Sequence, residues 1–206
     1  MKVAIIGAGN VGKALATSIT RAGHDVTIAA STPQSAERAA QEIGAQAAPS
    51  NAAAADGAEV VILAIPFASA GVQVATEIAD ATAGSVVIDV TNPIRPDLSG
   101  LATDTSAAEE FQLLLPKAAV VKAFNTVFAS NQADPGAADE PIDGFVAGDD
   151  DDAKRKVISL VESIGMRPLD VGPLRAARAL EGMAFLNIGL NAANGWGWTS
   201  AWRLER

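Results

Sequence analysis

The sequence predicts an α/β fold with a doubly wound, mainly parallel sheet and a helical segment at the C-terminus. Short apolar runs alternate with Ala-rich stretches of helical length, as expected for strands buried on both faces of a parallel sheet. Each apolar run is followed by a turn signal. With 206 residues, 49% of them hydrophobic, the chain can bury one sizeable core.

The predicted elements alternate along the chain. The strands are Val3–Ile6, Asp25–Ala29, Val60–Ile65, Val86–Val90, Val120–Ala123, Phe145–Ala147 and Arg167–Asp170. The helices are Val11–Ala22, Pro33–Ile43, Ser69–Ala79, Ser106–Leu115 and Ala153–Ile164. Pro33 suits a first helical turn, and Gly23 and Gly165 stand where helices should stop.

Two acidic segments have simple structural interpretations. The four aspartates 149–152 precede a helix, where capping and the helix dipole favour carboxylates. Hard cations also bind carboxylates, but the ligand spacing of a calcium loop is missing. Residues 131–143 are polar and contain Pro135, Gly136 and Pro141, so they predict a surface loop.

The strand-and-helix alternation stops after Gly172 and Pro173. One long helix is predicted from Leu174 to about Ala193, followed by a tail with the tryptophans 196, 198 and 202. We therefore expect a sheet domain over 1–172 and a helical, Trp-rich segment over 173–206. Because exposed tryptophan is unfavourable, the tail should pack on the same subunit, on a dimer partner or on a planar ligand.

Composition excludes several functional classes. The 15 Lys and Arg against 24 Asp and Glu give a net charge of −9, which argues against nucleic acid as a partner. Cys is absent and His24 is the single histidine, so we expect no thiolate or multi-histidine metal site. No segment has the length of a signal-peptide core or a membrane span. These features predict a cytoplasmic protein without membrane association.

The strongest motif is Gly7-Ala8-Gly9-Asn10-Val11-Gly12, a G-x-G-x-x-G between the first strand and the first helix. In Rossmann-type folds the three glycines allow a tight turn, backbone approach to a pyrophosphate and close helix packing. The residues also spell G-x-x-x-x-G-K, but a phosphate loop needs Ser or Thr next, where this chain has Ala14. Residues 1–172 are therefore predicted to bind a dinucleotide.

The end of the second strand indicates which dinucleotide. Ala30, Ser31 and Thr32 stand where an acid would bind the ribose 2′-hydroxyl of NAD. Without that acid a 2′-phosphate is not repelled, and the hydroxyls of Ser31, Thr32 and Ser35 could donate to it. NADP is therefore the predicted cofactor, although no arginine is present to bind the phosphate. Alternatively, Ser31 or Thr32 only caps the next helix.

Three further segments follow strands at the carboxyl edge, where ligands of open parallel sheets bind. They are Ile65-Pro66-Phe67, Thr91-Asn92-Pro93 and Phe124-Asn125-Thr126. Each combines an apolar or ring surface with a polar group, as a nicotinamide pocket requires. The prolines could equally be ordinary strand-end turns.

No general acid or base accompanies these segments, so no catalytic side chain is predicted. His24 lies between the first helix and the second strand, far from the expected crevice. Tyr is absent, which excludes a dehydrogenase of the Tyr-Lys type. Alcohol oxidation needs a nearby proton acceptor, whereas hydride transfer between two redox cofactors depends mainly on positioning. A non-catalytic NADP(H) sensor remains the alternative.

The chain resembles the F420-dependent NADP oxidoreductases. The similarity covers residues 1–25, 60–67, 89–93, 120–126, 145–152 and 169–178, and Val121-Lys122-Ala123-Phe124-Asn125-Thr126 and Val171-Gly172-Pro173-Leu174-Arg175 are more specific than the glycine motif. The resemblance implies a Rossmann-type homodimer that transfers hydride between nicotinamide C4 and deazaflavin C5. The expected fold also resembles the cytoplasmic reductase domain of membrane ferric reductases.

The resemblance assigns a role to each part of the predicted site. Ala8 to Gly12 would bind the pyrophosphate, Ala30 and Ser31 the adenosine ribose, Ile65 to Phe67 and Asn92 the centre, and Asn125 to Ala129 the nicotinamide and acceptor. Archaeal members have Ser-Arg in place of Ala30-Ser31 and His in place of Asn125. The Trp-rich ending resembles bacterial relatives whose acceptor could be a flavin. Arg95, Lys122, Arg175 and Arg178 are candidate cations for an anionic acceptor.

Overall fold

The computed structural model describes residues 1–137 and 140–205. Its strands are β1 (Lys2–Ile6), β2 (Asp25–Ala29), β3 (Gln46–Ala47), β4 (Val60–Leu63), β5 (Val86–Asp89), β6 (Ala119–Lys122), β7 (Asp143–Gly148) and β8 (Arg167–Asp170). Its helices are α1 (Asn10–Arg21), α2 (Pro33–Ile43), α3 (Asn51–Ala55), α4 (Phe67–Ile78), α5 (Ala107–Leu114), α6 (Ala129–Ala133), α7 (Asp151–Ser163) and α8 (Ala177–Asn194).

All eight strands join one sheet in the order β3-β2-β1-β4-β5-β6-β7-β8. Strands β1 to β6 are parallel, whereas β7 runs antiparallel to β6 and β8 runs parallel to β7. The order reverses between β1 and β4, which creates a crevice at the carboxyl edge. The prediction of a doubly wound, mainly parallel α/β sheet is confirmed.

Helices pack on both faces of the sheet, so its central strands are buried on both sides. One face packs Val3, Ile5 and Ile28 against α1, α2 and α7. The other packs Ile6 and Val61 against α3, α4 and α5. Burial on both faces explains why the strand sequences are almost continuously apolar.

The predicted surface loop over residues 131–143 is wrong in part. Residues 131–133 complete α6, a 3₁₀ turn covers Pro135–Ala137, and Asp143 begins β7. Gln132 and Ile142 are buried, since Gln132 satisfies backbone carbonyls of a neighbouring loop. Residues 138 and 139 lie outside the described part of the chain.

The sequence did not predict the short elements, whereas it correctly predicted a helix start after the aspartates. Strand β3 has two residues and α3 and α6 have five each, too few for a periodic pattern. Asp150 caps α7 by accepting from the amide of Ala153 at 2.9 Å, which confirms the capping interpretation of the aspartates. In the ranges that the structure describes, no helix has the length and apolarity needed to cross a membrane.

Candidate functional site

The glycine loop joins β1 to α1 and forms the base of the crevice. Gly7 has φ of +115°, and a Cβ there would lie 2.2 Å from the carbonyl oxygen of Ala64. A Cβ on Gly12 would lie 1.8 Å from the oxygen of Gly7, so α1 could not pack against the turn. A Cβ on Gly9 would meet nothing within 4 Å. Gly7 and Gly12 are therefore required by the fold, whereas Gly9 leaves open space beside the start of the helix.

A cleft of about 730 Å³ lies over this loop, between the ends of β2 and β4. It is lined by seven of the predicted site residues: Gly7, Ala8, Gly9, Ala30, Ser31, Ile65 and Pro66. Ser35, Ser50, Asn51, Gln73 and Glu77 line it further out. No Lys or Arg belongs to this lining.

The charged side chain in the lining of this cleft is Glu77, which belongs to α4. Its oxygens accept from Asn51 Nδ2 at 2.7 Å and from Gln73 Nε2 at 2.9 Å. These two hydrogen bonds hold the pKa of Glu77 below its ordinary value, so the side chain is an anion at neutral pH. Sequence analysis did not identify Glu77, because it lies 14 residues beyond the end of β4, near the C-terminal end of α4.

Two residues predicted to contact the cofactor also make structural contacts within the chain. Thr32 is the N-cap of α2, and its Oγ1 accepts from the amide of Ser35 at 3.2 Å. The capping alternative therefore holds for Thr32, while Ser31 lines the cleft. Phe67 begins α4 and packs edge-on against Phe111, with ring centroids 5.3 Å apart.

A second cavity, of about 160 Å³, lies where β5 and β6 end. It is lined by Val11, Val90, Asn92, Asn125, Thr126, Val127, Phe128, Ala129, Gln132, Ala184, Asn187 and Ile188. None of these side chains is titratable. The predicted residues Val11, Asn92, Asn125 and Ala129 meet here, although 118 positions separate the first from the last.

Asn92 and Asn125 are bonded to each other. Asn92 Nδ2 donates to the carbonyl oxygen of Asn125 at 3.0 Å, and Asn125 Nδ2 donates to Asn92 Oδ1 at 2.9 Å. Asn125 Oδ1 is buried and has no hydrogen-bond partner among the described residues. An unpaired amide oxygen in a cavity wall is suited to accept from a ligand N–H. Pro93 beside this pair is buried, and its carbonyl accepts from the amide of Ala102.

The loop after β6 has a strained backbone. Phe124 is 1% exposed and has φ of +63°, a region that bulky residues rarely adopt. Gln132 Nε2 donates to the carbonyls of Phe124 at 3.0 Å and Val127 at 2.9 Å, which holds the loop in place. Gln132 was missed because it lay in the segment predicted to be a surface loop.

Asp89, Lys122 and Glu181 form an ionic cluster at the ends of the strands that lead to the second cavity. All three side chains are 0% exposed. Lys122 Nζ donates to Asp89 Oδ2 at 2.8 Å, to Glu181 Oε1 at 2.7 Å and to the carbonyl of Thr91 at 2.6 Å. Lys122 was predicted to face an anionic acceptor, but its pairing and burial make that impossible.

The other predicted cations are at the surface. Arg178 donates through Nε at 2.8 Å and Nη2 at 2.6 Å to the two oxygens of Glu109. Arg95 and Arg175 are exposed. His24 lies between α1 and β2, with Nε2 2.9 Å from Ser163 Oγ, and burial lowers its pKa. Its predicted distance from the crevice is confirmed.

The C-terminal tail packs against the same chain. Trp198 meets Phe128 edge-on with centroids 5.5 Å apart, and its carbonyl accepts from Ser130 Oγ at 2.5 Å. Further along, the ring of Trp202 packs against Phe145 and Leu180. Packing on the same subunit, one of the three predicted arrangements, is therefore present for these two tryptophans.

The residues present fit a dinucleotide. The site runs along the carboxyl edge past the ends of β2, β1, β4, β5 and β6, about 19 Å at the usual spacing of neighbouring strands. A Cβ at Gly9 would project into the open space beside the first amides of α1, where a phosphate is favoured. The unpaired oxygen of Asn125 lies at the far end.

Comparison with known proteins agrees with this geometry. Residues 2–93 match the family described as NADP oxidoreductase, coenzyme F420-dependent. Metalloreductase STEAP3 of Rattus norvegicus is 30% identical over 184 residues, 87% of this chain. This chain spans 36% of the length of that relative.

Two solved structures are similar over nearly the whole chain. An Arthrobacter sp. FB24 protein assigned as an F420-dependent NADP reductase is 31% identical, with both chains covered completely and a TM-score of 0.89. The hypothetical protein SMa0349 of Sinorhizobium meliloti is 36% identical over 86% of this chain and 87% of its own, with a TM-score of 0.77. The chain therefore belongs to the family of F420-dependent NADP oxidoreductases, which bind NADP in a Rossmann-type fold.

Proposed function

We propose that this chain is a cytoplasmic oxidoreductase that exchanges hydride between NADP(H) and a deazaflavin, coenzyme F420, or a flavin. The observation that carries the proposal is the lining of the second cavity, which contains amides, hydroxyls and apolar groups but no titratable side chain. Hydride transfer between two redox cofactors needs such positioning and no side-chain acid or base. Reduction of a carbonyl would instead need a proton donor in reach.

The cofactor would lie along the carboxyl edge of the sheet. Backbone amides of residues 8–12 would bind the pyrophosphate at the start of α1. Ser31 and Ser35 would donate to the 2′-phosphate, and Ile65 and Pro66 would contact the central ribose. The residues 92 and 125 would hold the nicotinamide carboxamide, with Asn125 Oδ1 accepting from its N–H group.

The acceptor has room beside the nicotinamide end. Val11, Phe128 and Ala129 line both the second cavity and an open groove of about 820 Å³ outside it. This opening favours an enzyme over the sensor, since a sensor can cover the nicotinamide. NADPH supplies a hydride from C4, and the acceptor takes that hydride together with a proton from water. The chain's part is to orient both rings, through the polar and apolar side chains that line the cavity.

Anaerobic stopped-flow mixing tests the proposal. The purified chain with NADPH is mixed with F420 and, separately, with FMN, while the absorbance of both cofactors is followed. Simultaneous loss of the reduced-nicotinamide and oxidised-acceptor bands is expected with one of them. The Gly9→Trp variant is the control, because its side chain would occupy the phosphate approach. Tight NADPH binding without turnover of either acceptor would contradict the enzyme and favour the sensor.

We further propose a homodimer formed through α8. Leu186 and Leu190 on this helix are 52% and 38% exposed, and Gly182 and Gly189 would let a second helix approach closely. In this arrangement residues 1–172 form the NADP-binding domain, and residues 173–206 pack on it and on the partner. Sedimentation should show a dimer that Leu186→Glu converts to a monomer. Leu113→Glu, at an exposed position of α5, should leave the dimer intact.

A further inference from the structure

The ionic cluster connects the elements that shape the nicotinamide end. Asp89 ends β5 and is paired in register with Lys122 at the end of β6, while Glu181 belongs to α8. Thr91 is held from both sides, because its carbonyl accepts from Lys122 Nζ and its amide donates to Asp89 Oδ1 at 2.8 Å. The next residue along the chain is Asn92, which pairs with Asn125.

The cluster also links α8 to α5. Glu181 Oε1 accepts from Lys122 and from the amide of Ala107 at the start of α5, 2.9 Å away. Ala184 and Asn187, one and two turns further along α8, line the cavity. Glu181 therefore ties the helix that lines one wall of the cavity both to Lys122 and to the start of α5.

The charges of the cluster do not balance when both carboxyl groups are ionised. Two carboxylates against one ammonium leave a buried charge of −1, and the charged groups that act on Glu181 in the described structure are Lys122 and Asp89. Glu181 Oε2 has no hydrogen-bond partner among the described residues. Burial, more than the charge of Asp89, raises the pKa of Glu181 to about 7.

We propose that Lys122 is a positioning residue for the nicotinamide end, acting through Asp89, Glu181 and the carbonyl of Thr91 on the Asn92–Asn125 pair. The inference rests on the proposed function, since it concerns the end of the site assigned to the nicotinamide. With Glu181 protonated, the cluster has no net charge, and the ammonium of Lys122 is balanced by the carboxylate of Asp89. Loss of that proton adds repulsion between the carboxylates and negative charge near an anionic cofactor, so nicotinamide contacts weaken.

A two-ligand titration tests the inference. NADPH reaches both ends of the site, whereas 2′,5′-ADP reaches only the glycine loop and the adenosine end. In Lys122→Met we expect the Kd for NADPH to rise about tenfold while the Kd for 2′,5′-ADP stays within about twofold. Lys117→Met is the matched control, because Lys117 is 67% exposed and pairs with the exposed Asp80 at the surface. Equal weakening of both ligands, or of neither, would overturn the inference.

If Lys122→Met does not fold, a second variant, Glu181→Gln, tests the same inference. Glu181→Gln keeps a carbonyl acceptor for Lys122 and Ala107 but removes the titration. In the wild-type chain the ratio of NADPH to 2′,5′-ADP affinity should fall severalfold between about pH 6 and about pH 8. The ratio should be constant in Glu181→Gln, and persistence of the wild-type pH dependence would overturn the inference. A wild-type chain that binds both ligands but transfers no hydride would contradict the proposed function. The pH dependence of the affinity ratio could still be measured in that case.

Discussion

The two ends of the crevice are built in different ways. At the adenosine end, the glycine loop, Ser31 and Ser35 come from adjacent stretches of chain, and their groups face an open cleft. At the nicotinamide end, Asn92 and Asn125 are joined to each other by partly buried hydrogen bonds, and Gln132 is joined to backbone carbonyls by buried ones. The first end depends on local sequence, while the second depends on contacts between elements far apart in the chain.

This difference has consequences for affinity and for stability. A substitution at the open end should alter binding and leave folding nearly unchanged. A substitution in the ionic cluster or in the buried amides should alter both, because an unpaired buried polar group is costly. The predictions below separate these two kinds of effect.

Gly9→Trp should have the largest effect on binding. A Cβ at this position has no atom of the fold within 4 Å, so we expect the indole to enter the space proposed for the pyrophosphate. We expect NADPH affinity to fall by on the order of 100-fold, about 2.7 kcal/mol, with the melting temperature unchanged. Calorimetric titration and thermal unfolding measure the two quantities. Leu113→Trp, at a side chain that is 81% exposed on α5, is the control and should bind normally.

Glu181→Gln should change how stability depends on pH. The pKa of this carboxyl rises from 4.5 to about 7 on folding, so between these values the folded state binds more protons than the unfolded state. Its contribution to the free energy of unfolding therefore falls as pH rises from about 5 to about 7, by roughly 3 kcal/mol, and then levels off. Denaturant unfolding at several pH values should show that this decrease is absent in the variant.

The control for that series is Glu37→Gln, which alters an exposed carboxylate of α2. It should keep the wild-type decrease. An identical pH dependence in wild type and Glu181→Gln would mean that the buried carboxyl does not titrate near neutrality, and the charge balance inferred for the cluster would be wrong.

Ser31→Arg should strengthen NADPH binding. The charged side chain lining this end is the Glu77 carboxylate, so an added guanidinium would be the first cation available to a 2′-phosphate. We expect about a tenfold lower Kd for NADPH, about 1.4 kcal/mol, with little change for NADH. Gln41→Arg adds the same charge near the other end of α2 and should change neither. Weaker NADPH binding in Ser31→Arg would show that the 2′-phosphate lies elsewhere.

Thr32→Ala should have the smallest effect, and it should be on stability. The variant loses the cap hydrogen bond to the amide of Ser35, which predicts a loss of about 1 kcal/mol in the free energy of unfolding. Because the Thr32 side chain caps α2, NADPH affinity should change less than twofold. Thr32→Ser keeps the acceptor and should retain most of the stability. A large loss of NADPH affinity in Thr32→Ala would assign this side chain to the cofactor after all.

Sequence alone predicts the adenosine end well, because its geometry follows from neighbouring residues. Gly7 and Gly12 are needed for steric reasons that a motif can encode, and the strand ends follow from apolar runs. At the nicotinamide end, the predicted residues are Val11, Asn92, Asn125 and Ala129, which come from the glycine motif, from strand ends and from the family resemblance. Gln132, Asn187 and the ionic cluster were missed, since their partners are distant in sequence. A lone acidic residue, Glu181, between apolar residues of a long helix was the available signal.

The most direct test of the account is a crystal structure of the chain with NADP(H). We predict that the dinucleotide crosses the carboxyl edge, with its pyrophosphate at residues 8–12, its 2′-phosphate beside Ser31 and its carboxamide N–H bonded to Asn125 Oδ1. A nicotinamide that lies outside the cavity between β5 and β6, with Asn125 Oδ1 still unpaired, would contradict the division of the crevice into these two ends.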